Sequence, residues 1–218
     1  MKKLLSYLLP ITVSAIETEK NGKVTVTYDF GKKLLHSQNA NYSYGSLQKI
    51  LEFGLNQVPV SSCNSVLILG FGGGSVVTSL RERFGYKKSI DAVDFDATII
   101  ALALEEFGLK NDNQLTTIHQ EAFAYLQTWT KTYDLIIVDI FVDQWVPATF
   151  YTTEFWNTLQ TRLTQNGHFI FNASIFGQNE KELTALQSHL NTTFKVKRFD
   201  LVEGSNTLLM GKICERIF

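Results

Sequence analysis

An apolar run that leads straight into a glycine turn constrains this chain most. Val66-Leu67-Ile68-Leu69 is followed by Gly70-Phe71-Gly72-Gly73-Gly74, four glycines in five positions. A strand that is apolar at every position has both faces covered, as in a parallel sheet between helix layers. The same rhythm continues along the chain. Apolar runs at 66–69, 89–93, 115–119, 135–138 and 167–172 alternate with stretches of helical spacing at 76–84, 98–107, 122–129, 153–164 and 181–191. Two more strands, near 195–201 and 206–212, flank Glu203-Gly204-Ser205 and read as a hairpin. The fold class is therefore α/β: a doubly wound, mostly parallel, Rossmann-like sheet of seven strands with an antiparallel strand at its C-terminal end.

Residues 1–60 read differently. Ile16 to Tyr28 alternates around Asn21-Gly22, a strong short hairpin signal, and a second turn follows at Phe30-Gly31-Lys32. A helix is predicted from Tyr44 to Leu55 on the spacing of residues 47, 50, 51 and 55. The expected organisation is an N-terminal arm, small β-hairpin unit and connecting helix over 1–60, then a ligand-binding domain over 61–218. Met1-Lys2-Lys3 and the run LLSYLLPITV have the outline of a signal peptide. The run is short, is broken by Pro10 and has a weak cleavage site, so it is read as an arm packed on the domain.

Charge narrows the partners. With 20 Lys plus Arg against 21 Asp plus Glu the net charge is -1, which gives no basic excess for nucleic acid. No apolar stretch approaches the ~18 residues of a membrane span. Cys63 and Cys214 form no CxxC, and four scattered histidines offer no ligand pair, so no disulfide and no metal site is expected. The two cysteines suit a reduced, cytoplasmic protein. A small-molecule site is the expected function.

In a doubly wound sheet ligands bind beyond the C-terminal strand ends. The glycine loop sits at such an end, and Asp94 ends the next strand, 20 residues after Gly74. An acid there suits the two hydroxyls of a ribose. The loop lacks the sixth-position glycine of GxGxxG, since Ser75 and Val76 stand there. That favours a nucleoside without a pyrophosphate, such as S-adenosylmethionine, over NAD. No Lys-Ser or Lys-Thr follows, which excludes a P-loop. Glu121 and Asp139 fall at two further strand ends. The loop from Ile140 to Ala148 carries Asp143 and Trp145 and is suited to fold over a ligand. Asp143 as a turn cap and Trp145 as a core residue are the plainer alternatives, and Phe95 is placed either against an adenine or in the core.

In order and spacing these pieces resemble the spermidine synthase family, aminopropyltransferases on the class I S-adenosylmethionine-dependent methyltransferase fold. The resemblance runs over about residues 16–175. It rests on the N-terminal β unit, Asn41-Tyr42-Ser43-Tyr44-Gly45-Ser46-Leu47-Gln48, the glycine loop, Val93-Asp94-Phe95-Asp96, Gln120-Glu121-Ala122 and Tyr133 through Pro147. It implies a nucleoside site of Gly70, Phe71, Gly72, Gly73, Gly74, Asp94, Phe95, Glu121 and Ala122. Gly70, Gly72 and Gly74 would line the methionine portion, Asp94 the ribose and Glu121 the adenine amine. Asp139 and Asp143 are the expected proton acceptors for an attacking amine, with Tyr44 steering it. It also implies a homodimer, a small amine substrate, and S-adenosylmethionine or its decarboxylated form as co-substrate.

Departures from the family pattern bear on the donor. Gly73 stands where the family's loop carries an aspartate. Ile140, Phe141 and Val142 replace two serines and shift Asp143 by one position, and Gly45 replaces a glutamine. Without the loop acid a cationic propylamine tail is held less well, whereas the carboxylate of S-adenosylmethionine is no longer repelled. Three readings stand: an aminopropyltransferase-like transferase, a small-molecule methyltransferase, and a non-catalytic nucleoside-binding paralogue.

Overall fold

The structure, a computed structural model, describes residues 2–18, 22–37, 41–43 and 45–214. A one-turn helix α1 (Lys2–Leu5) precedes four antiparallel strands in chain order, β1 (Ile11–Thr18), β2 (Gly22–Asp29), β3 (Lys32–Ser37) and β4 (Asn41–Ser43). The expected hairpin unit is thus a four-stranded sheet. Residues 19–21 of its first turn lie outside the described residues, though Thr18 pairs with Gly22 across it. The second turn holds Phe30 at φ 44° and Gly31 at φ 74°, and Ser6 closes it. Its carbonyl accepts from the Phe30 N–H and its hydroxyl from the Gly31 N–H, each at 3.0 Å, which packs the N-terminal arm on the β unit.

Seven further strands form the main sheet: β5 (Ser65–Leu69), β6 (Ser89–Asp94), β7 (Leu115–His119), β8 (Tyr133–Val138), β9 (Leu163–Ile175), β10 (Phe194–Val202) and β11 (Asn206–Ile213). Their order is β10-β11-β9-β8-β5-β6-β7. From β5 the chain winds outward through β6 and β7, then returns to β8 on the other side, so the winding reverses between β5 and β8. That reversal opens a crevice at the C-terminal strand ends. The last strand, β11, inserts antiparallel between β9 and β10. The antiparallel strand foreseen at the chain's end is therefore interior, not an edge.

Helices α2 (Ser46–Leu55), α3 (Ser75–Glu82), α4 (Ala97–Glu106), α5 (Ala122–Thr128), α6 (Thr153–Thr161) and α7 (Glu180–Leu190) cover the sheet. Alternate strand residues serve the two faces. Val66 and Ile68 pack with Ile50, Leu51 and Leu80 from α2 and α3. Leu67 and Leu69 pack on the other face with Leu126, Phe155, Trp156 and Leu186 from α5, α6 and α7. The N-terminal sheet docks through Val24, Val26 and Leu35 onto Ile99 and Leu102 of α4. Lys33 adds an ion pair to Glu106 at 2.8 Å.

Several boundaries differ from the sequence reading, and two have a clear physical reason. The helix predicted from residue 44 begins at Ser46, capped by Gly45 at φ 67°, which ends the preceding extended run. The helix predicted to 164 stops at Thr161, because Leu163, four residues after Leu159, pairs with Tyr133 in the sheet. Helical spacing continued across that junction while the chain had already turned. A bulge containing Gly167 then resumes the ladder at His168 with Leu135.

Trp156 is fully buried, and its indole N–H donates to the Phe150 carbonyl at 2.9 Å, which fixes the segment before α6. Replacing it by alanine removes a large core side chain and leaves that carbonyl unpaired. Trp156→Ala is expected to lower unfolding free energy by about 3–5 kcal/mol, read from urea unfolding.

Candidate functional site

A cavity of about 600 Å³ lies over the C-terminal strand ends, spanning the crevice from β7 to β11. Gly70, Phe71 and Gly72 enter it from β5, and Asp94 and Phe95 from β6. Gln120, Glu121 and Ala122 follow β7, while Asp139 through Gln144 follow β8. Its far wall is Ile175, Ser205 and Asn206. Nine residues foreseen from sequence thus meet in one space: Gly70, Phe71, Gly72, Asp94, Phe95, Glu121, Ala122, Asp139 and Asp143. Gly73 and Gly74 are not among its lining residues, and Tyr44 lies outside the described residues.

Gly70 has φ 92°, and a Cβ there would fall 2.1 Å from the Asp139 carbonyl oxygen. The ends of β5 and β8 meet at that point, and only a residue without a side chain fits. Gly74 answers a different need. At φ 79° it precedes α3, and a Cβ would strike Leu109 at 2.1 Å. Its φ favours glycine, and the turn it makes brings the loop against Leu109 of the 108–114 segment.

Asp94 is 6% exposed and braces the loop. Its Oδ2 accepts from the Gly72 N–H at 2.9 Å and its Oδ1 from the Asp96 N–H at 3.0 Å. Its two oxygens lie side by side and accept from backbone N–H groups of the glycine loop and of the turn before α4. Burial pushes this carboxyl up to about 6, while the Gly72 and Asp96 N–H groups pull it down. Phe95 is half-buried at the cavity edge, and its carbonyl lies 3.1 Å from His119 Nε2. Glu121 is exposed and caps α5, its Oε2 accepting from the Ala124 N–H at 2.8 Å. Its other oxygen is left at the cavity rim.

The two acids after β8 differ. Asp139 follows Val138 at the strand end, and burial pushes it up to about 6, opposed by the hydrogen bond from Asn172. Asp143 is exposed in a two-residue hairpin in which Val142 and Trp145 exchange backbone hydrogen bonds of 2.9 and 3.1 Å. It holds φ 55° there, a conformation that aspartate tolerates better than most residues. Trp145 is 56% exposed, so this hairpin, and not the core, is where it sits. No Lys, Arg or His is among the residues lining the cavity, and no metal-binding cluster occurs among the described residues.

Sequence reasoning missed Leu47, Phe123, Phe150, Ile175, Ser205 and Asn206 in the lining, and Asn172 behind it. The apolar ones carry no signal beyond that of a core residue. Ser205 and Asn206 belong to a hairpin whose insertion beside β9 is not readable from spacing.

Comparison with known proteins gives the family and the fold. The family model described as the spermine/spermidine synthase domain matches residues 47–202, well over half of the chain. The chain belongs to that family. One relative in it is a probable polyamine aminopropyl transferase of Bifidobacterium longum, 29% identical over 134 residues. That match covers 61% of this chain and 29% of the relative. A polyamine aminopropyltransferase of Streptococcus uberis is 24% identical over 193 residues, 85% of this chain and 65% of its own. The chain therefore spans less than two thirds of the length of these curated relatives. A probable spermidine synthase from Corynebacterium glutamicum superposes with a TM-score of 0.77 at 16% identity, covering 91% of this chain and 79% of that one. At that identity the likeness shows the fold. No described helix is long and apolar enough to cross a membrane.

Two outcomes follow for this family member. Gly70→Ala forces a side chain into the Asp139 carbonyl at an unfavourable φ, so it should lower stability by about 1–3 kcal/mol in denaturant unfolding. The second concerns pH. Asp94 and Asp139 have folded pKa values near 6, above the ordinary aspartate value of about 4. Their contribution to stability is complete below pH 4 and is lost as pH rises through 6. Asp139→Asn should therefore gain stability relative to the unaltered chain as pH rises from 4 to 7, read as a difference in unfolding midpoints.

Proposed function

We propose that this protein binds an S-adenosyl nucleoside and transfers an alkyl group, aminopropyl in the family's reaction, from its sulfonium to a small amine. The observation that carries this reading is Asp94. Its two oxygens are tied to the glycine loop and to the start of α4 and stand side by side at the cavity, the pair of acceptors that suits the vicinal hydroxyls of a ribose. The cavity volume of about 600 Å³ suits a nucleoside together with a small acceptor. Phe95, Ala122 and Phe123 offer an apolar slot for a base, and the free oxygen of Glu121 an acceptor for its amine.

The bound donor supplies a carbon activated by its sulfonium, so the chain needs little acid catalysis. What it must supply is a neutral amine. A free alkylammonium has a pKa near ~10, so a carboxylate that accepts its proton and aims its lone pair raises the reactive fraction. Asp139 sits at the crevice, and with a pKa near 6 it is ionised at neutral pH yet a stronger base than an ordinary aspartate. Asp143, exposed on the hairpin, pairs with the amine as it enters. The reading carries with it the cytoplasmic homodimer that the resemblance implies.

A second reading rests on Gly73 and on the apolar lining from Ile140, Phe141, Val142 and Phe150. With no acid in the loop, and apolar side chains around the reacting centre, S-adenosylmethionine is the better-matched donor and methyl transfer the better-matched reaction.

Calorimetric titration decides between them. Methylthioadenosine is expected to bind the unaltered chain and to bind Asp94→Ala at least about tenfold more weakly, the loss of hydrogen bonds to a charged group. Tighter binding of S-adenosylmethionine than of its decarboxylated form selects methyl transfer. The reverse order selects aminopropyl transfer. Binding of none of the three overturns both readings.

A further inference from the structure

A chain of three side-chain hydrogen bonds runs behind the far wall of the cavity. Asn172 Nδ2 donates to Asp139 Oδ1 at 2.9 Å. Asn206 Nδ2 donates to Asn172 Oδ1 at 2.9 Å, and the Ser205 hydroxyl donates to Asn206 Oδ1 at 2.8 Å. Asp139 directly follows β8, Asn172 lies in β9 and Asn206 in β11, three strands that lie side by side, and Ser205 is in the turn that precedes β11. Asn172 is 1% exposed and Asn206 3%, so both amides are held inside the protein. Asp139, Asn206 and Ser205 line the cavity, whereas Asn172 does not and joins them from behind.

The direction of the chain is fixed by its ends. An ionised carboxylate can only accept, so Asn172 must turn its amide nitrogen to Asp139. Its oxygen then faces Asn206, which must present nitrogen in turn and leave its own oxygen for the Ser205 hydroxyl. Turning either amide over sets two acceptors against each other in a buried place, at a desolvation cost that no partner offsets. A β-bulge brings the two asparagines together. The β9–β11 register runs Asn206 with Ile175, Thr207 with Ser174, then Leu208 with Asn172, so Ala173 is an extra residue on β9. Bulges beside a site commonly re-aim a side chain in this way.

We propose that Asn172 and Asn206 are positioning residues for the transfer: a two-amide relay anchored at Ser205 holds one oxygen of Asp139 and leaves the other to receive the acceptor amine. This rests on the transferase reading above. An amide suits the task because it orients a carboxylate without neutralising it. A Lys or Arg in that place would hold the acid ionised and weaken it as a base. The charged groups that share the cavity with Asp139 are Asp94 at the end of β6, Glu121 before α5 and Asp143 in the hairpin after β8, all acidic. β9 and β11, packed beside Asp139, bring the neutral Asn172, Ile175, Ser205 and Asn206. Burial raises the Asp139 carboxyl and the Asn172 hydrogen bond opposes that rise. Breaking the relay should therefore move its titration upward.

The test is a carboxyl-carbon NMR titration of the full chain, with Asp139→Asn assigning the resonance. In Asn172→Leu the Asp139 midpoint should rise by about one pH unit, the loss of one hydrogen bond to a charged group. In Asn206→Leu it should rise by less, because the bond to Asp139 survives but loses its anchor. The Asp94 midpoint should stay in place in both. With an amine acceptor, the acid limb of kcat should move up alongside the NMR midpoint while the donor KM is unchanged; a merely structural role would lower activity at every pH alike. Should Asn172→Leu not fold, Asn206→Leu, which leaves Asp139 and its direct donor intact, carries the decision. An unmoved Asp139 midpoint in a chain that still binds methylthioadenosine overturns the relay alone. Absence of methylthioadenosine binding in the unaltered chain overturns the transferase reading, and the relay's part in transfer with it.

Discussion

The site depends on the near-contact between the Gly70 α-carbon and the backbone of Asp139. Two strands that diverge in the winding order, β5 and β8, are adjacent in the sheet, and their outgoing loops must part at one residue. Asp139 N–H donates to the Leu69 carbonyl at 2.9 Å and Gly70 N–H to the Val93 carbonyl at 3.0 Å, so β5 is held by both neighbours up to its end. At Gly70 φ is 92°, and the Asp139 carbonyl oxygen occupies the place of a side chain. Asp94 then lies on one side of that turn and Asp139 on the other. The glycine turn thus sets the relation between the Asp94 side of the cavity and the Asp139 side.

Electrostatically the cavity is unusual in having acids without bases. Four carboxylates line it, and their neighbours are backbone N–H groups, amides and apolar side chains. Two of them, Asp94 and Asp139, are displaced upward by burial to about 6. Such a site has no fixed positive charge to satisfy it, and a cationic ligand supplies that charge on arrival. In the transfer proposed above, a sulfonium nucleoside and an ammonium acceptor would both do so. This also accounts for the neutral donors at three of the four acids: N–H groups at Asp94, the Ala124 N–H at Glu121 and the Asn172 amide at Asp139 orient the carboxylates and leave their charge in place.

Much of this was legible in the sequence, for physical reasons that can be named. Unbroken apolar runs announced a sheet covered on both faces, and the Gly74-to-Asp94 spacing placed an acid beside the loop, because one helix and one strand of ordinary length intervene. Function was less legible where a role depends on the side-by-side placement of distant strands. Asn172 and Asn206 meet through the insertion of β11 beside β9 and a bulge at Ala173. Neither local periodicity nor any motif encodes that. Glu121 was legible as an acid at a strand end, but its use as a helix cap was not, since capping depends on where α5 begins. Gly74 belonged to the loop pattern yet serves packing against Leu109, a segment 35 residues away whose approach has no sequence mark.

The division between Asp139 and Asp143 follows from where each can be held. A residue at the crevice end of β8 inherits the rigidity of a strand hydrogen-bonded on both sides, by β5 and β9. A relay of amides can then fix its carboxylate as well. A residue four positions later stands on a hairpin closed by two backbone bonds and flanked by Val142 and Trp145, 48% and 56% exposed. Its backbone is held at a positive φ, yet its carboxylate is free in solvent. Rigid placement suits proton transfer, which fails when donor and acceptor are misaligned by an ångström. Freedom at the cavity mouth suits capture of an incoming cation. In the transfer proposed above, Asp139 is the acid held in the crevice and Asp143 the one carried on an apolar flap, so discrimination between acceptors would pass from paired charges to the shape and polarity of that flap.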